Sequence, residues 1–561
     1  MEVLASSDPP PKASAQTQQL EKPAALEAIN KPHNVDHGVP SAVQEDTAYL
    51  QGFRFWAVSV VIAVLLFLVN LETTVVTTAL VAITNDLGNF DIVSWVLSSY
   101  LLGYVGFIVL SAKLSDIFGR KQIILLCAAL FTVFSGGCGA AASMPQIIIL
   151  RAFQGLGGGG CFALSTVLII ELVPPKSYAK YVAYTGIVIV VAAVLGPIIG
   201  GVISSNISWR WIFLINVPIG AFTFVLALIG IPNGFPIVDK ALTNATTTVS
   251  FKQCIARLDI MGSILLLLAS LSLTAAFEQV GSRFYWDSAL ILSLLLVSAA
   301  LWAALLFWER RVSKLDGVCE PVLPWQFLTN RSMVGMLLGF FLLGGPITVT
   351  VFQLPQRFQL VNGLSGLDAG VRMLPFAVGV TVGSSVGARI ADQFQTSTIF
   401  VVIAGSILQV IGLVLLSYLS TSVAIPSELY GYLVLIGFGC GINYSTLYLM
   451  IPITVHSRDR AVGMGTGNQF RMMGSAVSLA IATTVFRSFT EPTFERLGID
   501  ASAQTNVALD LSVLSLESRE ELRSILALGY NRQMIVLSGF AAAQIPAALL
   551  MWKRGKFQTE W

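Results

Sequence analysis

Charge is what this sequence is poorest in. Asp, Glu, Lys and Arg together make up 11% of its 561 residues, against about 25% in an ordinary soluble protein. So few charges cannot cover the three or four soluble domains that this length would allow. Histidine is scarcer still: His33, His37 and His456 form no cluster for a haem, zinc or di-iron centre. The six cysteines (Cys127, Cys138, Cys161, Cys254, Cys319, Cys440) show no Cys-x-x-Cys spacing, and four lie in apolar runs. They read as small core hydrophobes, not as a disulfide framework. The chain has no Gly-x-x-x-x-Gly-Lys-[Ser/Thr] loop, which disfavours ATP-driven work. A net charge of +2 gives no ground for a nucleic-acid partner. No metal, no cofactor and no enzymatic activity are expected.

Apolar sequence fills the chain instead: 55% of residues are hydrophobic and the mean hydropathy is +0.77. Lipid is then the solvent for most of the protein. Fourteen segments are long enough to cross about 30 Å of hydrocarbon at about 1.5 Å per residue. Seven lie near 55–78, 92–111, 122–142, 146–170, 182–203, 211–231 and 259–278. The others lie near 288–308, 333–353, 368–390, 398–418, 429–451, 465–487 and 533–553. Segments seven and eight are the least polar inside, and fourteen spans rather than twelve turns on them.

Residues 1–50 are polar, rich in Pro, Ala and Gln, and lack an apolar signal-peptide core. A disordered cytosolic tail is expected there, with the run from Phe53 acting as an uncleaved anchor. Lys and Arg placement gives the orientation. With the N-terminus inside, the short inside loops and the C-terminal tail hold eighteen basic residues, while the short outside loops hold Arg210, Arg283, Arg357 and Arg372. Both termini are therefore expected in the cytosol, and the sequon at Asn244 is expected to stay unglycosylated.

A repeat lies in the loops. Ala112-Lys113-Leu114-Ser115-Asp116 follows span two, and Ala388-Arg389-Ile390-Ala391-Asp392 follows span ten, 276 residues on and matched in type at each position. The same offset carries span one onto span nine. This predicts an all-α polytopic membrane protein of two parallel six-helix bundles, 51–231 and 331–553, with a two-helix segment inserted at 232–330. A short tail, 554–561, follows. The outer loop 488–532 carries an amphipathic stretch near 505–528; it reads as a solvated connector, with a short helical lid as the alternative. Paired halves rocking about a central site are the usual architecture of a secondary transporter.

Several motifs resemble those of the major facilitator superfamily. Ala112 to Lys121 (AKLSDIFGRK) is similar to its signature loop, with Ala112 where glycine is usual. Arg151 to Gly159 (RAFQGLGGG) resembles the span-four motif, and Gly196-Pro197-Ile198-Ile199-Gly200-Gly201 the span-five antiporter motif, though Ala183 and Ala192 replace two of its glycines. Leu71 to Val76 (LETTVV) is similar to the span-one motif of the fourteen-span drug:proton antiporters, with Glu72 for the usual aspartate and Val81 for the usual proline. Trp209 to Gly220 (WRWIFLINVPIG) resembles a further signature of that group. Among its members the chain looks most like fungal efflux pumps for drugs and toxic secondary metabolites.

A mid-span carboxylate costs about 2.5–3.5 kcal/mol on insertion scales, so Glu72 is the first candidate for proton coupling, against a plain interhelical hydrogen bond. Arg151 is its candidate partner, a snorkelling arginine being the alternative. Gln154 lies one turn further in. Asn468 and Arg471 share a helix face in span thirteen; lining the cavity and anchoring at the membrane surface stay equally open for Arg471. Asn70, Gln353 and Asn443 complete the candidate substrate contacts. Asp116, Arg120, Lys121 and Asp392 are candidate inner-gate residues that pair with helix ends of the opposite half. Gly196 and Pro197 are expected to kink span five, and Gly200 and Gly201 to admit a close neighbour.

These features together predict a monomeric proton-coupled exporter of lipophilic small molecules in the plasma membrane, or a vacuolar or vesicle membrane. An importer of a sugar or iron chelate is the alternative within transport, and a non-transporting receptor the alternative outside it.

Overall fold

The computed structural model describes residues 49–552 except 89–91, 175–176, 236–250, 281–283, 315–317, 394–397 and 498–515. The expected tails and the Asn244 sequon lie outside the described residues. Among those described, fourteen helices are long and apolar enough to cross a membrane. In hydrocarbon every backbone polar group must be satisfied within the segment, so long apolar runs have little choice but helix.

The first bundle comprises α1 (Phe53–Leu87), α2 (Ser94–Phe118), α3 (Arg120–Gly139), α4 (Met144–Leu172), α5 (Tyr178–Asn206) and α6 (Arg210–Gly230, broken at Ile215). The inserted pair is α7 (Ile260–Gln279) and α8 (Ala289–Val312). The second bundle comprises α9 (Arg331–Leu360), α10 (Leu374–Gln393), α11 (Thr398–Ser417), α12 (Glu428–Thr454), α13 (Arg460–Arg496) and α14 (Leu516–Leu550). Caps set several starts: Asp259, Ser288 and Asn330 accept hydrogen bonds from the first-turn N–H groups of Gly262, Ile291 and Ser332 at 2.8, 3.3 and 3.1 Å. Gly119, at φ 100°, turns the chain from α2 straight into α3.

The helices pair alike in both bundles. α2 packs on α4, α1 on α5 and α3 on α4; correspondingly α10 packs on α12, α9 on α13 and α11 on α12. The bundles meet through α5 against α10 and α2 against α13. Near the end of the molecule that carries the α2–α3 turn, hereafter the basic face, a Cβ on Gly465 would stand 3.2 Å from that of Ala112. α7 lies across this second seam, touching both α2 and α13, with α8 packed on it. Leu296, Val297 and Phe307 of α8 are exposed apolar groups suited to lipid.

The inserted pair is more polar than its sequence suggested. Trp308 donates to Asp259 at 2.9 Å, Leu323 N–H donates to the buried Glu309 at 3.1 Å, and Ser98 of α2 donates to Glu278 at 3.2 Å. The segment 488–532 also differs from expectation. Its described ends are continuations of α13 and α14, and Phe486, Phe494, Leu522, Leu526 and Tyr530 pack together between them. Leu522, Leu526 and Tyr530 recur every four residues on one helix face, a period hidden by the intervening charges.

Candidate functional site

Three helices place the central polar group of the first bundle. Glu72 lies midway along α1, Arg151 two turns into α4, and Asn216 just after the break in α6. All three are buried, Glu72 and Arg151 fully so. Arg151 Nη1 is ion-paired with Glu72 Oε1. Asn216 Nδ2 donates to the other carboxylate oxygen at 2.6 Å and to Ser135 Oγ of α3 at 3.0 Å. Ser135 in turn donates to the Phe213 carbonyl at 2.9 Å.

The guanidinium is held independently of the acid. Its Nε donates to the Val96 carbonyl at 3.1 Å and its Nη1 to Gln154 Oε1 at 3.0 Å, while the plane lies 4.3 Å from the Tyr100 ring centroid. These contacts hold Arg151 beside its ion pair, and cation–π contact adds about 0.5–2 kcal/mol. Arg151 therefore does not snorkel. An acid that can be neutralised beside a fixed cation is chemically a proton-dependent switch.

The sequence reading joined Glu72, Arg151 and Gln154, and the structure brings all three together. It did not single out Asn216, Ser135 or Tyr100. Asn216 stood in plain view within the Trp209–Gly220 motif, as a lone amide in an apolar span.

A second group occupies the interface of the two bundles. Asn468 Oδ1 accepts from Arg471 Nε and Nη2 at 3.2 and 2.8 Å and from Tyr448 at 3.2 Å. Arg471 faces the rings of Tyr444 of α12 and Phe162 of α4. Its guanidinium thus spans the interface between bundles. The remaining candidates scatter. Asn70 turns back on its own helix, donating to the Leu66 carbonyl at 2.7 Å. Gln353 is buried in α9 and joins none of the other candidates. Asn443 lies inside the second bundle, donating to Ser406 at 2.9 Å and Gln544 at 2.7 Å, and Gln544 donates to Gln409 at 2.9 Å. It belongs to an interhelical amide network of α11, α12 and α14, not to the space between bundles.

At the basic face Arg120 pairs with Asp116 and with Glu171 of α4, the latter at 2.7 Å. These ties stay within the first bundle, unlike the cross-half pairing expected. The cross-half contact runs through Glu320, between α8 and α9: it binds the buried Lys113 of α2 at 2.9 Å, Arg257 at 2.6 Å, and Arg458 of the second bundle. Burial alone would raise the Glu320 pKa, but hydrogen bonds and charge from Lys113 and Arg257 outweigh it and pull it down to about 2. Lys121 has no ion pair among the described residues, and the Asp392 side chain lies outside them. In α5, a Cβ on Gly196 or Gly200 would collide with Thr74 or Thr78 of α1, whereas one on Gly201 would meet nothing within 4 Å. Close approach is thus built into two of the three glycines. The helix itself runs unbroken from Tyr178 to Asn206.

The comparisons with known proteins agree with this architecture. The family model described as Major Facilitator Superfamily matches residues 62–280 and 253–479. The MFS-type transporter FPY5 of Fusarium mangiferae is 36% identical over 527 residues, 94% of this chain and 88% of that protein. The MFS-type efflux pump LUC4 of a Fusarium species is 30% identical, over 81% of this chain and 78% of its own. Among solved structures, the proton:xylose symporter XylE bound to 6-bromo-6-deoxy-D-glucose aligns with a TM-score of 0.53 at 14% identity, covering 88% of this chain and 96% of that one; it shares the fold. With the paired bundles, the matching family model and relatives along nearly the whole length, the chain belongs to the major facilitator superfamily, a family of transporters.

Proposed function

We propose that this protein is a proton-coupled exporter of lipophilic small molecules, a secondary metabolite or drug, working by alternating access. The observation that carries the reading is the buried Glu72–Arg151 pair with Asn216 on its second oxygen. A carboxylate this deep needs a purpose, and the one it fits is to take a proton from one side and give it to the other. While ionised, Glu72 is held by Arg151 and Asn216. Once protonated it releases the cation, which Val96, Gln154 and Tyr100 retain, and the balance between the two bundles shifts. A proton crossing the membrane yields about 2.3 kcal/mol per 100 mV, enough to drive modest accumulation without ATP.

The direction rests on the span-five motif and on relatives such as LUC4, named as an efflux pump. The basic face is the cytosolic side by the positive-inside rule, so both termini are cytosolic. The protein acts as a monomer in the plasma membrane, with vacuolar or vesicle membranes the other setting that the same physics serves. Contact of α2 with α13 at the basic face, with Glu320 clasping both bundles, is what a state closed to the cytosol requires. Asp116, Arg120, Lys121 and Asp392 belong to this gate, Asn468 and Arg471 to the substrate path, and Gly196 and Gly200 to the tight seam of α5 on α1.

The test is Glu72→Gln, which keeps the hydrogen-bonding outline but cannot exchange a proton. Over a panel of lipophilic toxins in a pump-deleted host, and in vesicles with an imposed pH gradient, export should fall to the level seen with an uncoupler, at unchanged membrane expression. Export undiminished by this substitution removes Glu72 from coupling.

A further inference from the structure

Among the arginines buried or half-buried within the spans, Arg471 is set apart by its place. Arg357 and Arg372 also have no ion pair among the described residues, but they bond the Ser420 carbonyl and the Tyr430 hydroxyl inside the second bundle, whereas Arg471 stands between the bundles. Arg151 has a carboxylate, an amide and a backbone carbonyl. Arg120 has two carboxylates. Arg471 has one neutral oxygen, Asn468 Oδ1, which also accepts from Tyr448. It takes part in no ion pair among the described residues, and its Nη1 amine has no acceptor among them. The buried Asn468 Nδ2 beside it is likewise without an acceptor. An arginine is always charged, and a charge in a membrane interior without a counter-ion is costly. Here the donors are left open in a site that belongs to neither bundle alone.

The surroundings say what kind of molecule fills the place. Phe162 of α4 and Tyr444 of α12 lie 5.9 and 6.0 Å from the guanidinium carbon. Tyr448 packs 4.6 Å from Tyr444 and 4.9 Å from Phe340, centroid to centroid. Tyr104 of α2 packs on Phe162 at 6.1 Å and faces the same Arg471 and Asn468. Rings from both bundles therefore surround one cation and the Asn468 amide, with no acid facing them among these residues.

We propose that this is a substrate subsite selective for amphipathic organic anions: an aromatic or otherwise apolar body carrying one carboxylate, enolate or sulfonate. The acid group docks on Arg471 in the planar geometry that guanidinium favours, with the Asn468 amide as a second donor. The apolar body lies against Phe162, Tyr444 and Tyr448. A lipophilic cation is repelled by the same charge, and a neutral analogue leaves it unpaired. Because rings of both bundles line the site, an anion seated there bridges them, as a transported substrate must. The proposal rests on the export reading for its meaning, but it is a statement about binding and is tested as one.

The experiment uses the purified full-length protein in detergent and a matched pair of probes, 2-naphthalenesulfonate and the neutral 2-naphthalenesulfonamide, with affinities measured by calorimetry. A charge-assisted contact of this kind predicts that the sulfonate binds about tenfold tighter or more. Arg471→Lys should keep part of that preference, and Arg471→Gln should bring the two probes to within about twofold. Equal affinities in the wild type overturn the proposal, as does a preference that survives Arg471→Gln. If the glutamine variant does not elute as a single species, the wild-type ratio and its retention in Arg471→Lys decide the matter. Glu72→Gln should keep the sulfonate preference whatever it does to coupling. Continued pH-driven export by that variant would count against the exporter mechanism and leave the anion subsite standing.

Discussion

Helix by helix the two bundles pair in the same way, α2 on α4 as α10 on α12, α1 on α5 as α9 on α13, yet their interiors hold different chemistry. The first bundle encloses an ion pair, Glu72 with Arg151, satisfied within itself by Asn216, Gln154 and Val96. The second encloses a neutral amide network of Asn443, Gln544 and Gln409 and turns its mid-span arginine, Arg471, toward the other bundle without a counter-ion. The same scaffold thus closes one charge on itself and leaves another open. On the reading proposed above, the closed pair handles the proton and the open cation handles the substrate. Coupling then needs only that both bear on the α2–α4 surface, from which Val96 and Tyr100 touch Arg151 and Tyr104 and Phe162 face Arg471.

The sharpest way to break this comparison is to remove each arginine in turn. Arg151→Met leaves Glu72 buried without its cation, which should cost about 3–5 kcal/mol. Arg471→Met removes a charge that leaves no anion behind, and should change stability by less than about 1 kcal/mol in either direction. Thermal unfolding of the two purified variants in detergent checks the contrast. Equal losses would mean that Arg471 has a structural partner equivalent to Glu72, and the distinction between the bundles would fall.

A smaller effect is expected one contact further out. Asn216→Ala removes the donor to the second oxygen of Glu72 and leaves Ser135 without that bond. A hydrogen bond to a charged group is worth about 1.5–3 kcal/mol, so the loss in stability should fall in that range, below that of Arg151→Met. In the second bundle Asn443→Ala breaks bonds between neutral groups only, so its loss should be nearer 1–2 kcal/mol, as about 0.5–1.5 kcal/mol per neutral bond implies. If Asn443→Ala proved the more damaging, the weight of the interior would lie in the amide network and not in the ion pair.

How much of this was legible beforehand follows from what sets each feature. The fourteen helices and the two-bundle plan were legible, because lipid dictates both length and composition and the loop repeat spaced the halves. Glu72 and Arg151 were legible because a charge within a span is itself the signal. Asn443 was assigned to the cavity because it is polar and mid-span, but which face of a helix looks inward is decided by packing that no single sequence displays. The true extent of α13 and α14 was hidden by charges that mimic a loop. Glu320 gave no signal at all: it lies outside every span in a connecting segment, and its importance comes only from the three cations that folding gathers around it.

That clasp offers the most delicate test, since it concerns how the two unlike bundles are held together and not what each contains. Of the three cations on Glu320, Arg458 alone belongs to the second bundle, and its side chain is 68% exposed. Exposed ion pairs contribute about 0–1 kcal/mol, so Arg458→Gln should leave the unfolding temperature almost unchanged. It should nevertheless loosen the basic face. With Ala112→Cys in a cysteine-free background, the thiol sits where α2 meets Gly465 and is shielded while the face is closed, so labelling by an impermeant maleimide should quicken severalfold in the Arg458→Gln variant. Acid should not mimic this within the working range. A carboxylate whose pKa is lowered on folding contributes its full stability above its ordinary value near 4 and loses it only as pH falls through the lowered one, here about 2. Labelling of otherwise wild-type protein should therefore stay constant through this contact from pH 8 to pH 5. A rise across that window would place a proton switch at the basic face, where Asp116 and Asp459 stand beside the clasp, and the assignment of proton handling to the first bundle's interior would have to be shared with it.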